Sequence, residues 1–229
     1  MTFQNRTEAG RLLGARIQRY KPACRQGRKV EGLIVLGIPR GGVVVGKELA
    51  EVLNSPLDVI ITKKIGAPGN PELAIGAVGP FDGERSRTAQ GEPVINEELA
   101  TQAGADEKYL KAQISKLKVE IKKREKEFRS GKAPLNLKDK VVIITDDGVA
   151  TGATMMAAIE LARQQNPKKI IVAVPVIAKD SLDKIEKLAD EVVYLEAPSL
   201  FFAVGQFYQH FNQVTDEEVM DILNKQINK

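Results

Sequence analysis

Short apolar runs and amphipathic segments alternate along the chain. The apolar runs are rich in β-branched residues and have the length of buried strands in a parallel sheet. Between them lie segments whose apolar positions follow the period of a helix. This alternation predicts an α/β fold, with a mostly parallel, doubly wound sheet flanked by helices. The predicted strands are residues 33–38, 57–62, 74–78, 93–95, 141–145, 169–176 and 191–195, and the predicted helices are 6–20, 42–53, 106–129, 152–165 and 181–188.

Length and composition agree with one folded unit. The 229 residues are 43% hydrophobic and 28% charged, as in a globular chain, and we expect a single domain, residues 1–229, with its core at 30–195. We expect no membrane contact and no signal peptide, because no apolar run approaches the roughly 20 residues of a membrane span. The single cysteine, Cys24, and the single histidine, His210, disfavour a disulfide, a zinc site and a Cys-His catalytic pair. We therefore expect a cytoplasmic location.

One predicted strand ends in two adjacent carboxylates, Asp146 and Asp147, and a turn of small residues then opens a helix near Gly152. Backbone N–H groups of such a turn, together with the positive end of the helix, bind a phosphate dianion, and Thr151 and Thr154 add hydroxyl donors. Neighbouring carboxylates suit a diol or Mg²⁺. The combination predicts a site for a phosphorylated sugar. An ordinary turn with a capping Asp is the alternative, which the joint presence of both acids, both threonines and the glycine disfavours.

The segment 141–154 resembles the 5-phosphoribosyl-1-pyrophosphate (PRPP) binding motif of type I phosphoribosyltransferases, in which four apolar residues precede an acid pair and x-x-x-T-G-x-T. The resemblance implies the type I phosphoribosyltransferase fold, with the acid pair on the ribose hydroxyls and the turn on the 5′-phosphate. It also implies Mg²⁺ as cofactor, held by the acid pair directly or through water. The substrate residues that it implies in this segment are Asp146, Asp147, Gly148, Val149, Ala150, Thr151, Gly152, Ala153 and Thr154.

A second loop follows the first predicted strand and reads Pro39-Arg40-Gly41-Gly42. The glycine pair lets backbone amides approach an anion closely, and Arg40 offers a bidentate donor to phosphate oxygens. A plain turn is the alternative. The resemblance implies that this is the pyrophosphate loop, with Arg40 and Gly41 as substrate contacts.

Lys63 and Lys64 follow the strand predicted at 57–62, and the next nine residues include two prolines and two glycines. That composition predicts a mobile loop. The resemblance implies a catalytic lid here, with both lysines on the pyrophosphate and Lys63 acting in catalysis together with the acid pair. Exposed lysines without a role are the alternative. A lid would exclude water from an oxocarbenium-like transition state.

Residues 106–129 predict one long basic helix, an insertion in the minimal type I fold. Between Lys108 and Arg129, nine basic residues stand against three acidic ones, a local charge of +6 in a chain of net charge +4. An apolar stripe runs along the helix and consists of Leu110, Ile114, Leu117, Ile121 and Phe128. Docking on its own domain is the favoured interpretation of this stripe, a homodimer contact the second, and a nucleic-acid surface the least favoured.

The acceptor would lie under a hood formed by residues 197–225, to which residues 1–22 are a further candidate contribution. The run 198–211 contains five of the eleven aromatic residues, which suit stacking on a flat base; packing onto the sheet is the equal alternative. Ala150 stands where the related hypoxanthine and guanine enzymes carry Asp, and this disfavours a 6-oxopurine acceptor.

The sequence thus predicts an Mg²⁺-dependent enzyme that transfers the 5-phosphoribosyl group from PRPP to a nitrogenous base or another nitrogen nucleophile, releasing pyrophosphate. No general base is identifiable. Two alternatives use the same fold: a regulatory protein that senses PRPP or a nucleotide without turnover, and a hydrolase or phosphorylase of phosphoribosyl compounds.

Overall fold

A computed structural model of the protein describes residues 2–17, 32–79, 93–131 and 133–227. Its central sheet consists of five parallel strands. The strands are β1 Leu33–Gly37, β2 Leu57–Val59, β6 Val141–Thr145, β7 Lys169–Val176 and β8 Glu191–Glu196. Their order across the sheet is β2-β1-β6-β7-β8, and every neighbouring pair is parallel. The chain order reverses between β1 and β6, and ligands of open α/β sheets bind beyond the strand ends at such a point.

Helices cover both faces of this sheet. In β1, Leu33 and Val35 enter one apolar cluster and Ile34 and Leu36 enter the other, because successive strand residues point to opposite faces. The helices are α1 Arg6–Ile17, α2 Gly41–Leu53, α3 Glu97–Gln102, α4 Glu107–Phe128, α5 Ala153–Arg163, α6 Lys179–Ile185 and α7 Asp216–Ile227. The predicted α/β class is confirmed. Three features of the sequence analysis lie outside the described residues: the predicted end of the first helix at Tyr20, the turn at 81–83, and Cys24.

The prediction of a loop at 65–73 is wrong, because these residues form strands and a turn of a second, antiparallel sheet. That the segment is mobile and acts as a lid stays a prediction. The second sheet is formed by β3 Lys63–Ala67, β4 Asn70–Val78 and β5 Val94–Ile95. Register shifts at Gly66 bring its backbone against Pro71, where a Cβ on Gly66 would lie 2.7 Å from the Pro71 backbone. A bulge accommodates a proline, which has no N–H for the ladder, and Gly69 at φ 72° makes the turn. The same separate sheet explains why the strand predicted at 57–62 ends at Val59.

The long basic helix is present as α4. Asp106 caps it, since its carboxylate accepts a 2.7 Å hydrogen bond from the Tyr109 N–H. Ile121 and Phe128 are fully buried within this chain, and the other three positions of the apolar stripe pack against the same cluster. The apolar stripe thus packs on its own domain, as the favoured interpretation predicted.

The two terminal segments pack against each other. A short 3-10 helix, Val204–Phe207, follows β8, and the residues after it pair with the start of the chain. The Phe3 N–H donates to Phe207, and the Gln209 N–H donates back to Phe3, each at 2.8 Å. Within the part of the chain that the structure describes, no helix has the length and apolarity to cross a membrane.

Candidate functional site

The acid pair lies at the carboxyl end of β6, next to the point where the sheet order reverses. The Asp146 carboxylate accepts a 2.8 Å hydrogen bond from the Asp147 N–H. Desolvation of the Asp146 carboxyl and the adjacent negative charge of Asp147 raise the pKa of Asp146 well above its ordinary value. The surroundings of Asp146 therefore disfavour the ionised form of its carboxyl group.

Asp147 has a cationic partner that sequence reasoning missed. Arg6, in the first turn of α1, places its Nε 2.6 Å from the Asp147 carboxylate, and both side chains are nearly buried, at 11% and 14% exposure. The Arg6 Nη1 donates to the Asn212 carbonyl at 2.7 Å, and its guanidinium lies 3.9 Å from the Phe211 ring centroid. No local motif surrounds Arg6, and 141 residues separate it from Asp147, so only the folded chain could reveal this contact.

Tyr208 completes the surroundings of the acid pair. Its hydroxyl donates to the Asp147 carbonyl, and its ring stacks on Phe211 with centroids 5.1 Å apart. Burial, followed by the negative charge of Asp147, raises the pKa of Tyr208, so that it remains a neutral donor. Two aromatic residues of the C-terminal segment thus pack here, Tyr208 against Asp147 and Phe211 against Arg6, whereas Phe202 is exposed.

The turn after the acid pair encloses a cavity of about 170 Å³. Gly152 adopts φ 78°, which favours glycine, and α5 begins immediately after it. The Ser181 hydroxyl donates to the Ala150 carbonyl at 2.6 Å and fixes the turn from outside. The structure therefore gathers the predicted phosphate residues around one volume, whose lining is Asp146, Gly148, Val149, Ala150, Thr151, Gly152, Ala153, Thr154, Met155 and Val204.

The loop between β1 and α2 lies beside the acid pair. A Cβ on Gly41 would overlap the Asp147 carboxylate, and a Cβ on Gly42 would lie 2.8 Å from the Asp146 Cα. Both glycines are therefore required for the close approach of the two loops. The Pro39–Arg40 peptide bond is cis.

Arg40 and Gly41 border a second cavity, of about 320 Å³, whose lining includes Arg6 and Gly41, the two neighbours of the Asp147 carboxylate. The Arg40 Nη1 lies 3.6 Å from the Asp216 carboxylate at the start of α7, which also accepts a 2.9 Å hydrogen bond from Arg124 of α4. The remaining lining of this cavity is Phe211, Gln213 and Val214.

The structure places the two predicted lysines on the antiparallel sheet. Lys63 opens β3, and its ammonium lies 3.6 Å from the Glu120 carboxylate of α4, so the residue predicted to act in catalysis faces the basic helix. Lys64 is the exposed neighbour in the same strand. A role of either lysine at the pyrophosphate stays a prediction.

The donor set at the acid pair bears on the predicted Mg²⁺. Over residues 2–17, 32–79, 93–131 and 133–227, no group of three or more His, Cys, Asp or Glu side chains could hold a metal ion. Two adjacent carboxylates nevertheless fit Mg²⁺, which keeps several waters and binds one or two carboxylates together with substrate phosphates. The residues present thus suit an ion that arrives with a phosphorylated ligand.

Comparison with known proteins decides the family. A family model described as "Phosphoribosyl transferase domain" matches residues 23–210. The chain belongs to this family. The match includes the loop at Arg40, the acid pair and the turn at Gly152, but not Arg6 or the residues 211–214 that line the second cavity.

Relatives in this family agree with the fold. The protein Rv0571c of Mycobacterium tuberculosis, provisionally named a phosphoribosyl transferase, is 40% identical over 223 residues, which are 97% of this chain and 46% of that protein. The chain thus spans about half the length of this curated relative. A uracil phosphoribosyltransferase of Mycoplasma genitalium is 39% identical over 67 residues, 29% of this chain and 32% of that one. The crystal structure of TT1426 from Thermus thermophilus superposes with a TM-score of 0.82 at 39% identity, covering 98% of this chain and 99% of that chain.

Proposed function

We propose that the chain catalyses Mg²⁺-dependent transfer of the 5-phosphoribosyl group from PRPP to a nitrogen nucleophile, with release of pyrophosphate. The observation that carries the proposal is that the acid pair lies between two loops whose composition suits an anion: Asp146 lines the cavity of one loop, and Asp147 lies against Gly41 of the other. One loop follows β1 and the other follows β6, and these strands are neighbours at the point where the sheet order reverses. PRPP has the matching order of groups: a phosphate, a vicinal diol and a pyrophosphate.

The turn at Gly152 would hold the 5′-phosphate. The turn lies at the start of α5, where free backbone N–H groups and the positive end of the helix dipole favour an anion. Thr151 and Thr154 line the same cavity. The acid pair would accept hydrogen bonds from the ribose 2′- and 3′-hydroxyls. These contacts would orient the ribose so that its C1 atom faces the second cavity.

Arg40 and the backbone of Gly41 would hold the pyrophosphate. As the bond between C1 and the pyrophosphate oxygen breaks, negative charge develops on the leaving group, and a guanidinium placed there stabilises it. The acceptor nitrogen forms the new bond to C1, and its proton leaves to solvent or to the departing pyrophosphate. Mg²⁺ would be held by Asp146 and Asp147 and would supply further charge neutralisation to the phosphorylated substrate when bound.

The acceptor is proposed to be a nitrogenous base other than a 6-oxopurine, because Ala150 offers no side chain that could accept from a ring N–H. The partial similarity to a uracil phosphoribosyltransferase makes uracil one of the bases to test. A cytoplasmic location is part of the same proposal.

Incubation with PRPP, Mg²⁺ and a panel of bases, followed by measurement of pyrophosphate release, tests the proposal. We expect release that depends on one base and on Mg²⁺. The control is Gly152→Asp, which should abolish release because it puts a negative side chain into the phosphate turn. PRPP binding without base-dependent release of pyrophosphate would instead support the sensing alternative.

A further inference from the structure

The Arg6 side chain binds the Asp147 carboxylate, the group that contacts the ribose hydroxyls in the proposed function. Its Nε lies 2.6 Å from the Asp147 Oδ2, and the backbone of Gly41 closes the same oxygen from another side. Arg6 and the Gly41 backbone thus compete with a hydroxyl or a hydrated cation for the space around that oxygen. Arg6 and a divalent cation also repel each other, and in a site this well buried the repulsion is only weakly screened.

Arg6 also holds the segment that lines the second cavity. It donates to the Asn212 carbonyl and covers the Phe211 ring, while Phe211, Gln213 and Val214 line that cavity together with Arg40. A movement of Arg6 away from Asp147 would therefore break contacts with residues 211–212. One side chain connects the state of the acid pair to the wall of the second cavity.

We propose that Arg6 is a displaceable internal counter-ion of the acid pair. In the free protein it neutralises Asp147 and holds residues 211–214 in place; a ligand that brings a divalent cation or a diol to Asp147 displaces Arg6 and releases that segment. Arg6 is thus a positioning residue, which lowers the affinity of the acid pair for cations and couples its occupancy to the second cavity. The identity of the natural ligand, PRPP with Mg²⁺, rests on the proposed function.

The test is the Arg6→Gln variant, which removes the charge and keeps a polar side chain. The matched control is Arg11→Gln, on the same helix, where the Arg11 Nε lies 2.9 Å from the Glu48 carboxylate and the side chain is 71% exposed. Calorimetry should show that Arg6→Gln binds PRPP in the presence of Mg²⁺ about tenfold more tightly than wild type, since a competent state populated one time in ten lowers apparent affinity tenfold. Arg11→Gln should bind as wild type does.

Binding of Mn²⁺ alone, measured through the relaxation of water protons, does not depend on PRPP. Arg6→Gln should bind Mn²⁺ more tightly than wild type, and Arg6→Lys, which keeps the charge, should not.

A further measurement uses the only histidine of the chain, His210, which precedes Phe211. Its proton NMR signals should shift when wild type binds its ligand and should already be shifted in ligand-free Arg6→Gln.

The outcomes separate the two proposals. Weaker or unchanged binding of both PRPP and Mn²⁺ to a folded Arg6→Gln protein, with His210 signals as in wild type, overturns the counter-ion role and leaves the proposed function intact if wild type binds PRPP. Failure of wild type to bind PRPP, combined with tighter Mn²⁺ binding by Arg6→Gln, supports the counter-ion role and contradicts the proposed function.

Discussion

The two sides of the acid pair are held in different ways. The turn around Gly152 is built from consecutive residues, a backbone conformation at φ 78° and one outside hydrogen bond from Ser181. The environment of Asp147 is built from residues distant in the chain, namely Arg6, Tyr208 and the loop at Gly41. One side depends on backbone geometry, and the other depends on the balance of buried charges.

This difference indicates which side can respond to a ligand. A backbone turn at the start of a helix offers its N–H groups to an anion without rearrangement. A ligand that takes the place of one partner in a buried ion pair must separate the two charges, and breaking such a pair is costly. We therefore expect the proposed phosphate side to be preformed and the acid pair to change its partner on binding.

The largest effect is expected at the turn. Gly152→Asp adds a repelling charge and a Cβ that would lie 3.2 Å from the Ser181 Cβ, in a conformation that favours glycine. It should remove detectable binding of both PRPP and ribose 5-phosphate in calorimetry. Gly104→Asp is the control, because Gly104 has φ 71° and open space at its Cβ position. Near-wild-type binding by a folded Gly152→Asp protein would contradict the assignment.

Arg40→Ala should weaken PRPP binding by about 1.5–3 kcal/mol, typical of a hydrogen bond to a charged group. Ribose 5-phosphate has no group for Arg40 and should bind almost unchanged. Arg124→Ala removes the other arginine that contacts Asp216 and should affect PRPP less. Equal losses for the two ligands in the Arg40 variant would show that Arg40 supports the fold instead.

The neighbouring acids should respond to neutralisation with opposite signs. Asp147→Asn removes the partner of nearly buried Arg6 and should lower the free energy of unfolding by about 2 kcal/mol. Asp146→Asn removes a carboxyl group whose ionised form is disfavoured by burial and then by the charge of Asp147, and at neutral pH it should raise the free energy of unfolding by about 1 kcal/mol. Urea denaturation of the ligand-free proteins measures both changes, and a loss of stability in both variants would show that Asp146 is not under electrostatic strain.

The smallest effect is expected on α4. Lys116, Lys123 and Lys126 are exposed, and the apolar side of the helix is buried on its own domain. Their joint reversal to Glu should leave pyrophosphate release within about twofold of wild type, as is usual for exposed charges. Tight, salt-dependent and PRPP-sensitive binding of a nucleic acid, lost in this variant, would favour the regulatory alternative.

The parts of the site that the sequence predicted are the local ones. Residues close in the sequence, such as Asp146 and Gly152, are positioned by local structure, because a buried strand and a turn of small residues are short-range patterns. The contact of Arg6 with Asp147 arises only when the two ends of the chain pair beside the sheet. The composition of residues 65–73 predicts a loop, but the segment forms part of a hairpin, because Gly and Pro also occur at bulges and turns.

A calorimetric competition among three ligands tests the central claim, that two anion sites lie on either side of one acid pair. In the presence of Mg²⁺, saturating ribose 5-phosphate should leave a site for pyrophosphate, and PRPP should displace both ligands. The Gly152→Asp variant should retain pyrophosphate binding, and Arg40→Ala should retain ribose 5-phosphate binding. Mutual exclusion of ribose 5-phosphate and pyrophosphate, or failure of PRPP to displace either one, would contradict the account.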